Sequence, residues 1–134
     1  MTRARAVPAA LARAAVAARK RAYAPYSRFQ VGAAVQAGGE TYSGCNVENA
    51  SYGLTVCAER AAVAAAVAAG ARRLEAVAVA SGTAPPTPPC GMCLQTLAEF
   101  AGPGLPVLLV GARGVRAETT LGELLPMAFT KRYL

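Results

Sequence analysis

FQVGAAVQAGGETYSGC, residues Phe29 to Cys45, sets one edge of the sheet around which the chain is built. Apolar and small residues run from Phe29 to Ala37, the pair Gly38-Gly39 interrupts them, and Glu40 to Cys45 returns. Two strand-like runs joined by two glycines read as a β-hairpin with a tight turn. A hairpin placed early in the chain supplies one edge of a sheet.

Upstream, Val7, Leu11, Ala15, Ala18 and Ala22 repeat at helical spacing, and Pro8 stands where a first turn accepts it. This predicts a helix over 8–22, stopped before Tyr23-Ala24-Pro25-Tyr26-Ser27 because Pro25 drives Ala24 out of helical geometry. Downstream, residues 46–56 form a polar loop, and an alanine-rich helix over 56–69 closes at Gly70. A buried strand over 74–80 follows, then the proline-dense run Pro85 to Pro89, a helix over 90–101 and the break Gly102-Pro103-Gly104. An apolar strand over 106–111, a short strand over 115–118 and a helical turn over 120–125 before Pro126 complete the chain. Strands alternating with helices after an opening hairpin predict a three-layer α/β/α sandwich around a mixed five-stranded sheet. No internal repeat or boundary breaks residues 1–134, which read as a single domain.

The composition narrows the partners. Of the 134 residues 54% are hydrophobic and the mean hydropathy is +0.33, but 33 of them are alanine, so the apolar excess is modest and points to an oligomer. No run approaches the roughly eighteen apolar residues that span a bilayer, so no membrane is expected. The arginine-rich start superficially resembles a transit peptide, but it is poor in serine and runs straight into a helical pattern. Without a secretory signal or a disulfide spacing, the thiols point to a reducing cytoplasm. The net charge of +7 raises nucleic acid as a partner. Arg3, Arg5, Arg13, Arg19, Lys20, Arg21 and Arg28 account for it: from residue 29 onward seven bases meet seven acids. The basicity belongs to one N-terminal helix, whose simpler reading is a solvated face, and no nucleic acid is expected.

The chemistry gathers in two short stretches, Thr55-Val56-Cys57-Ala58-Glu59-Arg60 and Pro88-Pro89-Cys90-Gly91-Met92-Cys93-Leu94-Gln95. Cys90 and Cys93 are spaced so that both sulfurs reach one ion at about 2.3 Å, and Cys57 also opens a predicted helix. Two helix N-termini favour thiolate over thiol. A C-x-x-C pair alone is equally a redox dithiol or half of a zinc knuckle. The knuckle needs a fourth ligand, and with no histidine in the chain only Cys45 could supply it. At the end of a strand Cys45 reads as a small packed thiol, leaving three ligands plus water, the pattern of a catalytic zinc. Glu59 lies about 200° around a helix from Cys57, although the first turn relaxes that constraint. It is either a proton-moving carboxylate or a dipole-facing surface acid. Three thiolates leave zinc at a formal charge of −1, so a cation is expected nearby; Arg60 is the candidate, or else a solvated helix arginine.

Gly44-Cys45-Asn46-Val47-Glu48-Asn49-Ala50-Ser51-Tyr52-Gly53, Cys57-Ala58-Glu59-Arg60 and Pro89-Cys90-Gly91-Met92-Cys93 together resemble the small homotetrameric zinc-dependent cytidine deaminases, over Tyr23 to about Phe129. The resemblance implies one Zn²⁺ per subunit on Cys57, Cys90 and Cys93, and Glu59 as the shuttle that activates water for attack on C4 of the pyrimidine, protonates N3 and helps release ammonia. It further implies that Asn46 and Glu48 hold the ribose hydroxyls, that Phe29 packs on the base, and that backbone near Ala58 reads its polar edge. Tyr52 and Phe129 would reach a neighbouring subunit's pocket. The substrates implied are the nucleosides cytidine and 2′-deoxycytidine, within pyrimidine salvage. Read singly, Asn46 is also a turn residue, Glu48 a solvated loop acid, and Phe29 and Phe129 core aromatics. Asn46 and Asn49 are nevertheless the only asparagines, in a chain without aspartate.

Three positions depart from the family pattern. Leu94 stands where arginine often follows the second cysteine of the pair, which puts more weight on Arg60. Val56 replaces a common polar residue, and Met127 a usually small one before Phe129. Two other readings compete: a deaminase of a related aminopyrimidine nucleoside of the blasticidin S type, and a zinc-stabilised nucleic-acid binder. The second lacks a basic stripe interleaved with aromatics, which make up only 6% of the chain.

Overall fold

The hairpin forms as read, except at its start. β1 (Gly32–Ala37) and β2 (Glu40–Cys45) pair antiparallel from Ala37 opposite Glu40 to Gly32 opposite Cys45. Gly38 and Gly39 take φ of 59° and 78°, the two left-handed positions that a tight two-residue hairpin turn demands and that glycine meets without steric cost. Residues 29–31 do not extend the strand, contrary to the sequence expectation. The Val31 N–H donates to Asn46 Oδ1 at 2.8 Å and the Phe29 carbonyl accepts from Asn46 Nδ2 at 2.7 Å, so a side chain takes the bonds a neighbouring strand would have made.

These coordinates come from a computed structural model that describes residues 6–134; Arg3 and Arg5, counted above among the cations, lie outside the described residues. Helix α1 (Ala9–Arg19) stops three residues before the expected end. The chain tightens into short bonds from Arg21 to Ala18 and Ala22 to Arg19, and the Tyr23 N–H then turns to the Asn46 carbonyl at 2.9 Å. Pairing of residue 23 with the 46–48 loop has won over another helical turn. The remaining elements fall within about two residues of expectation: α2 (Ala58–Ala68), β3 (Ala76–Ala80), α3 (Gly91–Phe100), β4 (Pro106–Val110), β5 (Arg116–Thr120) and α4 (Leu121–Leu124).

The sheet order is β2-β1-β3-β4-β5, with β3 and β4 parallel across the α3 crossover and all other pairs antiparallel. It is the mixed five-stranded sheet expected, with the hairpin at one edge. Alternation along the strands separates two cores. Val35, Val77, Val79, Val107 and Leu109 face α2, α3 and α4, where Leu97 is fully buried. Ala34, Ala76, Ala78, Ala80, Leu108 and Val110 face Leu11, Ala12 and Ala15 of α1. The basic helix α1 therefore lies on the opposite side of the sheet from α2 and α3, the two helices that begin at the cysteines. Among the described residues no helix is long and apolar enough to cross a membrane.

Candidate active site

Cys57 and Cys90 occupy the N-cap positions of α2 and α3. A cap is usually Ser, Thr, Asp or Asn, whose side chain turns back to the helix amides; neither cysteine makes that bond, so both sulfurs are left for other partners. Cys93, one turn into α3, is buried. The three Sγ atoms lie within 4.8 Å of one another, with Cys57 to Cys90 at 3.9 Å and Cys90 to Cys93 at 3.5 Å. A tetrahedral ion with bonds of about 2.3 Å separates its sulfurs by about 3.8 Å. The cluster fits zinc without rearrangement. Cys45, at the end of β2 opposite Gly32, stands outside it, as the sequence reading held.

Glu59 is the second residue of α2 and is buried. The first turn brings it to the same cavity as Cys57, so the angular separation expected in mid-helix does not keep the two apart. Burial pushes its carboxyl above the usual range, outweighing its own backbone hydrogen bond, the Cys93 thiol against it and the nearby Arg60 charge. Burial, and then the Glu59 charge, push the Cys93 thiol well above the ordinary thiol range. Burial also acts upward on Cys90, but the Cys93 backbone N–H, the Cys93 and Cys57 side chains and the Met92 N–H outweigh it and hold that thiol low. Burial and the Glu59 charge thus disfavour the thiolate at Cys93, while the hydrogen bonds at the helix start favour it at Cys90.

Arg60 donates from Nη2 to the Thr55 carbonyl at 2.9 Å, and the same nitrogen lies 3.9 Å from Cys57 Sγ. Its buried Nε has no hydrogen-bond partner. The guanidinium is tucked beside a sulfur rather than solvated. Leu94, which stands where the family often has arginine, is buried in the core cluster that includes Leu97 and Val63.

A cavity of about 270 Å³ joins these groups to the loop residues. Phe29, Asn46, Glu48, Cys57, Ala58, Glu59, Cys90 and Cys93 all line it. Asn46 is buried, and its amide is engaged with the backbone of residues 29 and 31, which leaves one Nδ2 hydrogen for anything in the cavity. Glu48 accepts from the Tyr26 and Ser27 N–H groups and from the Ser27 hydroxyl. Its carboxyl is held below the usual range, chiefly by that hydroxyl. Ala58 is the first residue of α2, where backbone N–H groups lack intrahelical acceptors. Tyr52 and Phe129 are not brought to this cavity; they are 74% and 60% exposed. Sequence reading missed Ser27, Ser81 and Thr87, which also line the cavity. A lone hydroxyl in a turn or proline-rich loop carries no periodic or spacing signal.

A family model for the cytidine and deoxycytidylate deaminase zinc-binding region matches residues 7–108. The chain is 50% identical over 121 residues to a cytidine deaminase of Halalkalibacterium halodurans, covering 90% of this chain and 92% of the relative. It is 49% identical over 118 residues to one of Sporosarcina psychrophila, covering 87% of each. A crystal structure of cytidine deaminase from Burkholderia pseudomallei superposes with a TM-score of 0.86 at 51% identity, over 90% of this chain and 97% of that one. A blasticidin-S deaminase of Bacillus cereus is a more distant relative, at 27% identity over 114 residues.

Proposed function

This chain belongs to the cytidine and deoxycytidylate deaminase family, and from that premise we propose that it hydrolyses cytidine and 2′-deoxycytidine to uridine and 2′-deoxyuridine with release of ammonia. The observation that carries the reading is the buried Glu59 carboxylate in the same cavity as the three-thiol cluster and the polar pair Asn46 and Glu48.

Cys57, Cys90 and Cys93 would hold the zinc, which lowers the pKa of a water molecule towards neutrality and so supplies a nucleophile. Glu59 accepts a proton from the attacking water, delivers it to N3 as C4 becomes tetrahedral, and then assists the leaving amine. A carboxyl whose pKa burial raises holds a proton more readily than an ordinary carboxylate, which suits both directions of transfer. Arg60 and the two helix N-termini offset the negative charge of the thiolates. The free Ala58 N–H is available to the polar edge of the base, and Phe29, at the cavity wall, to its face. Asn46 and Glu48 receive the ribose hydroxyls.

Tyr52 and Phe129, exposed here, complete a neighbouring subunit's cavity in a homotetramer. Support comes from the exposed apolar side chains Tyr52, Leu54, Met92, Met127 and Phe129, more than scattered surface residues require. Four unpaired cysteines support a reducing cytoplasm, and the nucleoside reaction proposed above supports a place in pyrimidine salvage.

Steady-state rates on cytidine, 2′-deoxycytidine and blasticidin S test the substrate class. Turnover of the two plain nucleosides with little on blasticidin S is expected, in keeping with the far higher identity to cytidine deaminases. Rejection of both nucleosides would overturn the assignment. Tight, steeply salt-dependent binding of tRNA or single-stranded DNA would instead favour a nucleic-acid role.

A further inference from the structure

Ser27 lies outside every motif used above, yet it is the centre of the hydrogen bonding at the cavity mouth. Its hydroxyl donates to Glu48 Oε2, and Ser27 Oγ in turn accepts the Phe29 N–H at 3.0 Å. The Ser27 and Tyr26 N–H groups both donate to Glu48 Oε1, at 3.1 and 3.0 Å. One turn therefore gives the carboxylate three hydrogen bonds and gives the neighbouring aromatic its backbone anchor. A carboxylate has about four acceptor positions. With two donors on Oε1 and one on Oε2, the single open position is on Oε2, the oxygen that Ser27 orients. Arg28, between the two anchored residues, has a left-handed φ of 58°. Such a conformation in a non-glycine residue persists where its surroundings hold it.

We propose that Ser27 is a positioning residue that aims Glu48 at the sugar hydroxyls and couples that aim to the seat of Phe29. The inference rests on the reading of Glu48 as a sugar contact. Without the Ser27 hydroxyl, Oε2 has two open positions and no fixed direction, and the Phe29 N–H loses its acceptor. Binding of a nucleoside with secondary hydroxyls should weaken, while the chemical step, centred on Glu59, should not.

The test is steady-state kinetics of zinc-loaded Ser27→Ala, Ser27→Thr, Glu48→Gln and the Ser27→Ala/Glu48→Gln double variant, on cytidine and on 2′,3′-dideoxycytidine. Ser27→Ala should raise KM for cytidine about tenfold, the scale of one hydrogen bond to a charged group, with kcat within about twofold. Its effect on the dideoxy substrate should be under about threefold, since that substrate offers Glu48 no secondary hydroxyl. Ser27→Thr should restore most of the cytidine KM. On the Glu48→Gln background, Ser27→Ala should add less than about threefold. An unchanged cytidine KM, an equal rise for both substrates, or full multiplication of the two single effects would overturn the proposal. If Glu48→Gln alone leaves the cytidine KM unchanged, the sugar-contact reading itself fails, and Ser27 falls with it. Should Ser27→Ala fold poorly, Ser27→Cys, which keeps the size and weakens the donor, should show the same split between substrates.

Discussion

Replacing Asn46 by alanine should damage the protein in two measurable ways. Asn46 is buried, and among the described residues its amide is the one partner of two backbone groups: the Val31 N–H at 2.8 Å and the Phe29 carbonyl at 2.7 Å. Alanine removes both partners. Val31 is half-buried, so its N–H carries most of the roughly 1–3 kcal/mol cost of an unsatisfied group. Phe29 is 39% exposed, so water can replace the lost donor at its carbonyl and the cost falls to about 0.5–1.5 kcal/mol, an ordinary hydrogen bond. The sum is about 1.5–4.5 kcal/mol. Because residues 29–31 wall the cavity, KM for cytidine should rise as well. Equilibrium urea unfolding at fixed protomer concentration measures the first effect, and steady-state kinetics the second. A stability loss below about 1 kcal/mol together with an unchanged KM would refute the reasoning, since it would mean that the amide is not holding this segment.

Arg60→Gln should shift the pH of half-maximal kcat upward, because without the cation 3.9 Å from Cys57 the thiolates would donate more charge to the zinc they hold, and the zinc would lower the pKa of the reacting water less; an unchanged pH profile would exclude that role. Zinc retention against a chelator should strengthen as pH rises: the metal binds thiolates, the Cys93 proton held by burial and by Glu59 must leave first, and falling pH opposes its departure. Competition with a chromophoric chelator between about pH 6 and 8 reads this directly, and a flat dependence would count against thiolate ligation. Gly44→Ala should cost roughly 1–3 kcal/mol or more, because a Cβ there would stand 2.6 Å from the Ala62 nitrogen and 2.9 Å from the Ala58 oxygen, both backbone of α2. The helix start that carries Cys57 and Glu59 must then shift, so thermal melts should drop and zinc content after dialysis should fall.

The architecture was readable because its signals are local. Gly38-Gly39 between strand-like runs, alanines at helical spacing and the Pro and Gly breaks each act over a few residues, and their alternation implies a mixed sheet opened by a hairpin. The ligand cluster was readable because two of its members share a C-x-x-C spacing. What escaped was long-range. Nothing in residues 29–31 announces that a side chain fifteen or more positions away takes their hydrogen bonds, so the first strand was read three residues too long. The early end of α1 has the same origin, the capture of Tyr23 by the 46–48 loop. That Leu94 serves the core, in the cluster that holds Leu97 and Val63, is likewise a tertiary fact with no local signal. Ser27, a single hydroxyl in a turn, had no pattern to reveal its contact with a carboxylate 21 residues on.

The central claim is that Glu59 moves the proton in a deamination supported by Cys57, Cys90 and Cys93. Zinc-loaded protein incubated with cytidine, followed by loss of absorbance near the cytosine band, tests it against Glu59→Gln at equal zinc content. Steady conversion by the unaltered chain is expected, with a fall of about 10²–10⁴ in kcat for the variant, the range for loss of a general acid–base group. Inactivity of the zinc-loaded chain, or a variant that matches it, would rule out that role for Glu59.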